Sequence, residues 1–256
     1  MEYHVHITPL MKDVCHILVE ECEGMNHCIV QQPRNLIVEV SRGDIEKTVK
    51  VLKKHYPDVV DIRKAYLMIE DIHDFILVKS FTSEAPVYQE NGIPVPTIEK
   101  LMVDRISDKE YRKPSLQDSI QMFQRTMEGY TVNTSRLTRY AARKGKKDEV
   151  NEILSKIDKD RLSTVKSICD VLSTSPVLNA WVFGSFARME EKPGSEINLL
   201  VTMDKSAHMG NMAFSDLVNQ LEKAAGRPVD LVPEESLKTC ARQSVEREKY
   251  LVYERA

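Results

Sequence analysis

The stretch Trp181-Val-Phe-Gly-Ser-Phe-Ala-Arg-Met-Glu-Glu-Lys-Pro-Gly-Ser-Glu-Ile-Asn-Leu-Leu-Val201 decides how the rest of the chain is read. Ala180 to Phe183 is an apolar-aromatic run that stops at a glycine, the pattern of a strand entering a tight turn. Gly184-Ser185 is small enough for a phosphate to approach the backbone. Glu196 and Asn198 sit two apart where the next apolar run, Leu199-Leu-Val201, begins. Residues two apart on a strand share a face, so both side chains point toward whatever Gly184-Ser185 holds.

Working outward, a helix over 161–172 carries Leu162, Val165, Ile168, Cys169 and Leu172 at helical spacing and leads into this stretch. Beyond it, Met212 to Ala225 reads as a helix burying Phe214, Leu217, Val218 and Leu221. Gly226-Arg-Pro228 turns into a strand carrying Asp230, and a last helix is expected from about Glu234.

The Gly184-Ser185 motif, the ten residues Phe186 to Ser195, the Glu196-Ile-Asn198 pair and the later Asp230 resemble the signature of the minimal nucleotidyltransferases of the DNA polymerase β-like superfamily. Phe186-Ala-Arg188 is similar to the family as well, and the resemblance covers roughly the last third of the chain. It implies that Gly184, Ser185 and Arg188 bind nucleotide phosphates, and that the catalytic acids stand at Glu196, Asn198 and Asp230. It also implies Mg²⁺ or Mn²⁺ and a nucleoside triphosphate as substrate or ligand. One position departs from the family: Asn198 replaces the second carboxylate of the pair, which bridges two metals. Two-metal transfer needs carboxylates holding cations about 3.5–4 Å apart. An amide offers one neutral oxygen, and hard cations favour anionic ones. The expected metal ligands are therefore Glu196 and Asp230, with nucleotide binding retained and transfer weak or lost.

Upstream, alternation and turn residues suggest a sheet unit over the first 80 or so residues. Strands are expected at 28–30, 35–40, 59–62, 65–69 and 75–78, with 14–19 a strand or short helix. Asp44 is the candidate cap of a helix burying Ile45, Val49, Leu52 and Tyr56. Residues 82–96 read as a loop. Four short helices follow, the first two capped by Thr97 and Ser115, the third led into by Tyr130-Thr-Val-Asn133 and the fourth opened by Asp148, and they read as a small bundle. Ser83-Glu-Ala-Pro86, Pro96-Thr-Ile-Glu-Lys-Leu-Met-Val-Asp104, Tyr130-Thr-Val-Asn133 and Arg139-Tyr-Ala-Ala-Arg-Lys144 resemble the effector region of the abortive-infection type IV antitoxins and of a related uncharacterised family, over residues 14–157. That resemblance implies a toxin–antitoxin or phage-defence setting with a protein partner.

The fold class is thus α/β (α+β), with a mixed sheet and helices in 1–158 and a nucleotidyltransferase-like domain in 159–256. Arg136, Arg139, Arg143, Lys144, Lys146 and Lys147 form the one basic cluster, the three arginines at helical spacing. They are read either as a solvated face or as a patch for nucleic acid or an acidic partner. A net charge of −3 provides no whole-protein attraction for nucleic acid. Five cysteines without a C-x-x-C pair favour reduced thiols in a cytoplasmic protein, and the early Cys15, His16, Cys22, His27 and Cys28 fit no common zinc spacing. No apolar run is long enough to span a membrane. Three functions follow: a nucleotide- and metal-binding protein with weak or lost transfer, an active enzyme passing NMP to a protein or RNA, and a nucleic-acid-binding regulator.

Overall fold

The computed structural model describes residues 1–33, 35–64, 75–192, 194–207 and 209–255. The strand expected at 65–69 lies outside the described residues. The chain divides into two compact units, one of residues 3–119 and 132–155, the other of 1–2, 120–131 and 156–256.

In the first unit, α1 (Pro9–Glu21) is capped by the Thr8 hydroxyl, which accepts from Met11 N, and Pro9 occupies the first turn, where its missing N–H costs nothing. β1 (His27–Gln31) and β2 (Leu36–Val40) pair antiparallel, and α2 (Ile45–Leu52) crosses over to β3 (Val59–Asp61). With β4 (Ile76–Ser80) they form a mixed sheet of order β1-β2-β4-β3, in which β2–β4 and β4–β3 are parallel. β2 is buried along its whole length. Asp44 precedes α2 but makes no side-chain cap, and the buried face is Ile45, Thr48, Val51 and Leu52.

Residues 82–96 are not simply a loop. β5 (Val87–Glu90) and β6 (Ile93–Pro96) make a hairpin closed by Asn91-Gly92, both at positive φ. Asn-Gly is the favoured pair for a two-residue turn of this kind. Ile93 and Val95 enter the core with Met11, Val14 and Leu18 of α1. α3 (Ile98–Ser107), α4 (Leu116–Gly129), α5 (Thr134–Arg143) and α6 (Lys147–Ser155) follow. Thr97 and Asn133 cap α3 and α5 with side-chain oxygens, and Ser115 shares a reciprocal cap with Asp118 at α4. The four do not make one bundle, because α4 from Ile120 onward belongs to the second unit.

The second unit is a sheet of order β10-β7-β8-β9. α7 (Lys159–Ser173), capped by Asp158, leads into β7 (Val177–Phe183), α8 (Gly184–Arg188) and β8 (Ile197–Met203). α9 (Asn211–Ala225), β9 (Val229–Pro233), α10 (Thr239–Glu248) and β10 (Tyr250–Glu254) complete it. The last helix thus starts at Thr239 rather than near Glu234, where a 3-10 turn (Glu234–Ser236) intervenes, and it is followed by an unexpected edge strand. Ile197, Leu199 and Val201 of β8 and Val229 and Leu231 of β9 pack with Val165, Ile168 and Leu172 of α7 and Leu217 and Leu221 of α9. The pleat sends alternate residues to the other face, which therefore receives Asn198 and Asp230.

Candidate nucleotidyltransferase site

Three strand positions set the site. Asn198 is paired in register with Phe183 of β7 on one side and with Asp230 of β9 on the other. Register partners share a face, so Asn198 and Asp230 stand side by side, half-buried and exposed respectively. Exposed Glu196 lies immediately before β8. Burial, and then the charge of Glu196, raise the Asp230 carboxyl from its ordinary value.

The turn after β7 closes on the same place. Gly184 has φ +74, and a Cβ there would lie 3.1 Å from Asn198 Oδ1. Glycine suits the left-handed backbone conformation, and any side chain there would press on the asparagine. The short helix α8 is clamped at its C-terminal carbonyls. Arg161 Nη2 donates to Phe186 O at 2.7 Å, Arg125 Nη2 to Ala187 O at 2.6 Å and Gln121 Nε2 to Arg188 O at 3.0 Å. Donors there satisfy carbonyls that the helix leaves unpaired. Arg161 lies 3.5 Å above the Phe186 ring and also reaches Glu128 at 2.5 Å, Glu191 at 2.6 Å and the Tyr250 hydroxyl at 3.0 Å. Glu128, Arg125 and Gln121 thus tie residues 120–131 to the C-terminal unit, where the sequence-based division had placed them in 1–158.

Arg188 is not free. It pairs with Glu190 through Nε at 2.7 Å and with Glu248 through Nη1. Glu248 Oε1 also accepts from Gly184 N at 3.0 Å. Nothing in the spacing of the motif points to Glu248, Arg161 or Arg125, which come from elements far away in the chain.

Glu196 and Asp230 are the two carboxylates of this site that could hold a divalent cation. The donor set does not match a second, because position 198 supplies a neutral amide oxygen. A separate acidic group, Glu39, Asp104 and Asp108, brings carboxylate oxygens within 4.8 Å of one another, but it lies in the first unit and its cation places are taken. Glu39 and Lys79 are register partners on β2 and β4. Lys79 Nζ lies 3.2 Å from Glu39 and 2.6 Å from Glu110, and also pairs with Asp108. Lys100 Nζ lies 2.7 Å from Glu39 and 2.5 Å from Asp104. Burial would lower the Lys79 ammonium, but the surrounding carboxylates outweigh it and push its pKa well up, so the ammonium stays charged.

The basic cluster is largely neutralised from within. Arg143 pairs with Glu84, Lys144 with Asp108 and Asp104, and Arg136 approaches Glu99 at 3.4 Å. Lys144 is turned into the buried network and away from a shared face. Arg139 is exposed beside Arg136 on a cavity of about 340 Å³ lined also by Tyr88 and Thr97. Of the early Cys/His group, Cys15 Sγ meets His27 Nε2 at 3.5 Å and His16 pairs with Glu20, and among the described residues no three of them converge as metal ligands.

Residues 162–253 match the nucleotidyltransferase domain family, and residues 18–160 match a family of unknown function, DUF6577. Over 92 residues the chain is 34% identical to a Methanocaldococcus jannaschii protein provisionally named a protein adenylyltransferase, covering 35% of this chain and 79% of that one. The chain belongs to both families. Its nucleotidyltransferase domain is also similar to solved structures at greater distance. One is a toxin–antitoxin complex with AMP-PNP, at 23% identity and TM-score 0.31, covering 35% of this chain and 72% of the other. Another is a tri-AMPylated Shewanella oneidensis HEPN toxin with its MNT antitoxin, at 21% identity and TM-score 0.27, covering 37% and 70%. Likeness at this level says nothing of what this nucleotidyltransferase-domain protein binds. No helix among the described residues is long and apolar enough to cross a membrane.

Proposed function

We propose that the chain binds a nucleoside triphosphate together with one divalent cation, and that it transfers a nucleotidyl group weakly or not at all. The observation that carries this reading is the in-register pair Asn198–Asp230 beside the Gly184 turn. In this reading the Gly184–Ser185 turn receives phosphate oxygens through backbone N–H groups and the Ser185 hydroxyl, and Arg188 neutralises phosphate charge. Glu196 and Asp230 hold the cation, which when bound supplies charge neutralisation at the phosphates. Asn198 contributes a neutral oxygen where a two-metal site needs an anion. The resemblance of residues 14–157 to antitoxin effector regions supports a toxin–antitoxin or phage-defence setting with a protein partner.

A second reading, active transfer of NMP to a protein, is favoured by the 34% identical relative named for that activity. Incubation with labelled ATP and Mg²⁺ or Mn²⁺, with candidate acceptors present, separates the two. The first predicts label retained at equilibrium, weakened in Glu196→Ala, with little covalent transfer. Strong covalent transfer that disappears in Glu196→Ala would establish the second. A folded protein that retains no ATP at millimolar metal would sink both.

A further inference from the structure

Glu248 is the last residue of α10, where the helix dipole favours a cation over an acid. An acid placed against its local preference must be held by something else. It is held by two groups of the nucleotide site. Its Oε1 accepts from Gly184 N at 3.0 Å, and its Oε2 takes Arg188 Nη1. A backbone N–H and a guanidinium converging on one carboxylate is the arrangement that also receives a phosphate oxygen pair. The second nitrogen of Arg188, Nε, is engaged by Glu190 at 2.7 Å.

We propose that Glu248 is an internal competitor for the nucleotide's phosphates, closing the Gly184–Arg188 cradle until a polyphosphate displaces it. The inference rests on the nucleotide-binding reading of that turn. The Glu248 side chain is 16% exposed and that of Arg188 44% exposed, so the contact lies at the rim, open to an incoming anion. Lys249 follows in extended conformation and leads directly into β10, so α10 and β10 can stay in place while the glutamate side chain swings out. Nucleotide then binds only the fraction of molecules with the cradle open, and apparent affinity falls by that fraction.

The test is equilibrium dialysis of labelled ATP with Mn²⁺ against wild type, Glu248→Gln and Glu248→Ala, with thermal melts confirming that each is folded. Glu248→Ala is expected to bind about tenfold tighter than wild type, and Glu248→Gln to fall between, since the amide keeps an acceptor for Gly184 N but loses the charge facing Arg188. Glu248→Gln keeps the length and shape of the side chain, so it decides the matter should the alanine variant fail to fold. Equal or weaker binding by the variants overturns the competitor and leaves nucleotide binding standing. No binding by any of the three, all folded, overturns both.

Discussion

Restoring a carboxylate at position 198 has a calculable cost and a calculable rescue. In Asn198→Asp the new charge stands beside Asp230, its register partner on β9, with strands about 4.8 Å apart. Two unit charges at ~5 Å repel by ~0.8 kcal/mol in water and ~3 kcal/mol at an effective dielectric of about 20. Asp230 is exposed and Asn198 half-buried, which places the cost toward the lower end, ~1–2 kcal/mol. Without metal the variant should therefore melt about 2–8 °C below wild type. A cation bound between the acids removes the repulsion and adds its own binding energy, about 2.7 kcal/mol at a hundred times Kd. Thermal melts with and without Mn²⁺ should show a small metal shift in wild type and one of more than ~5 °C in Asn198→Asp, the latter with raised label transfer from ATP. Equal metal shifts in the two proteins would refute the reasoning, because the side chain at 198 would then lie outside the cation's reach.

Three further outcomes follow from the geometry. Met189 ends α8 at φ +58, and Met189→Gly should stabilise the protein by ~0.5–1 kcal/mol in urea denaturation, since the left-handed strain relieved exceeds the added chain entropy. Lys100→Met takes a fully buried ammonium from between Glu39 and Asp104, leaving them only Lys79 and Lys144, and should cost ~3 kcal/mol by the same measurement. Burial would raise the Asp108 carboxyl, but Lys79 and Lys144 prevail and bring it from 3.8 to about 2. A carboxyl depressed on folding contributes its stability above the unfolded value, so ~2 kcal/mol should be lost as pH falls from about 4 through about 2, and Asp108→Asn should flatten that loss.

Much of the nucleotidyltransferase domain was legible because its signals are local. A glycine at a strand end, ten intervening residues and an acid–amide pair where the next strand begins all lie within one stretch, and the register then sets Asn198 beside Asp230. The hairpin at 87–96 was equally local, and Asn91-Gly92 announced it, but the prolines around it read as loop. Three findings were not local. Lys100 and Lys144 carry the charge that usually marks a surface, and only the fold reveals the carboxylates that bury them. Glu248 lies 60 residues from Arg188, and no periodicity ties the two together. The second half of α4 has an ordinary amphipathic pattern that does not say which core receives it.

That last helix has a practical consequence. Beyond residues 1–2 the chain passes from one unit to the other, back again, and across once more, so no single cut separates them. A fragment starting at 159 would keep Arg161 with Glu191 and Tyr250 yet leave Glu128 behind, taking one carboxylate from a buried guanidinium. A cut at that boundary would leave residues 120–131 of the second unit behind. A piece that keeps the second unit whole has to carry residues 120–131 along, with the 24 residues that follow them, Val132–Ser155, as a passenger.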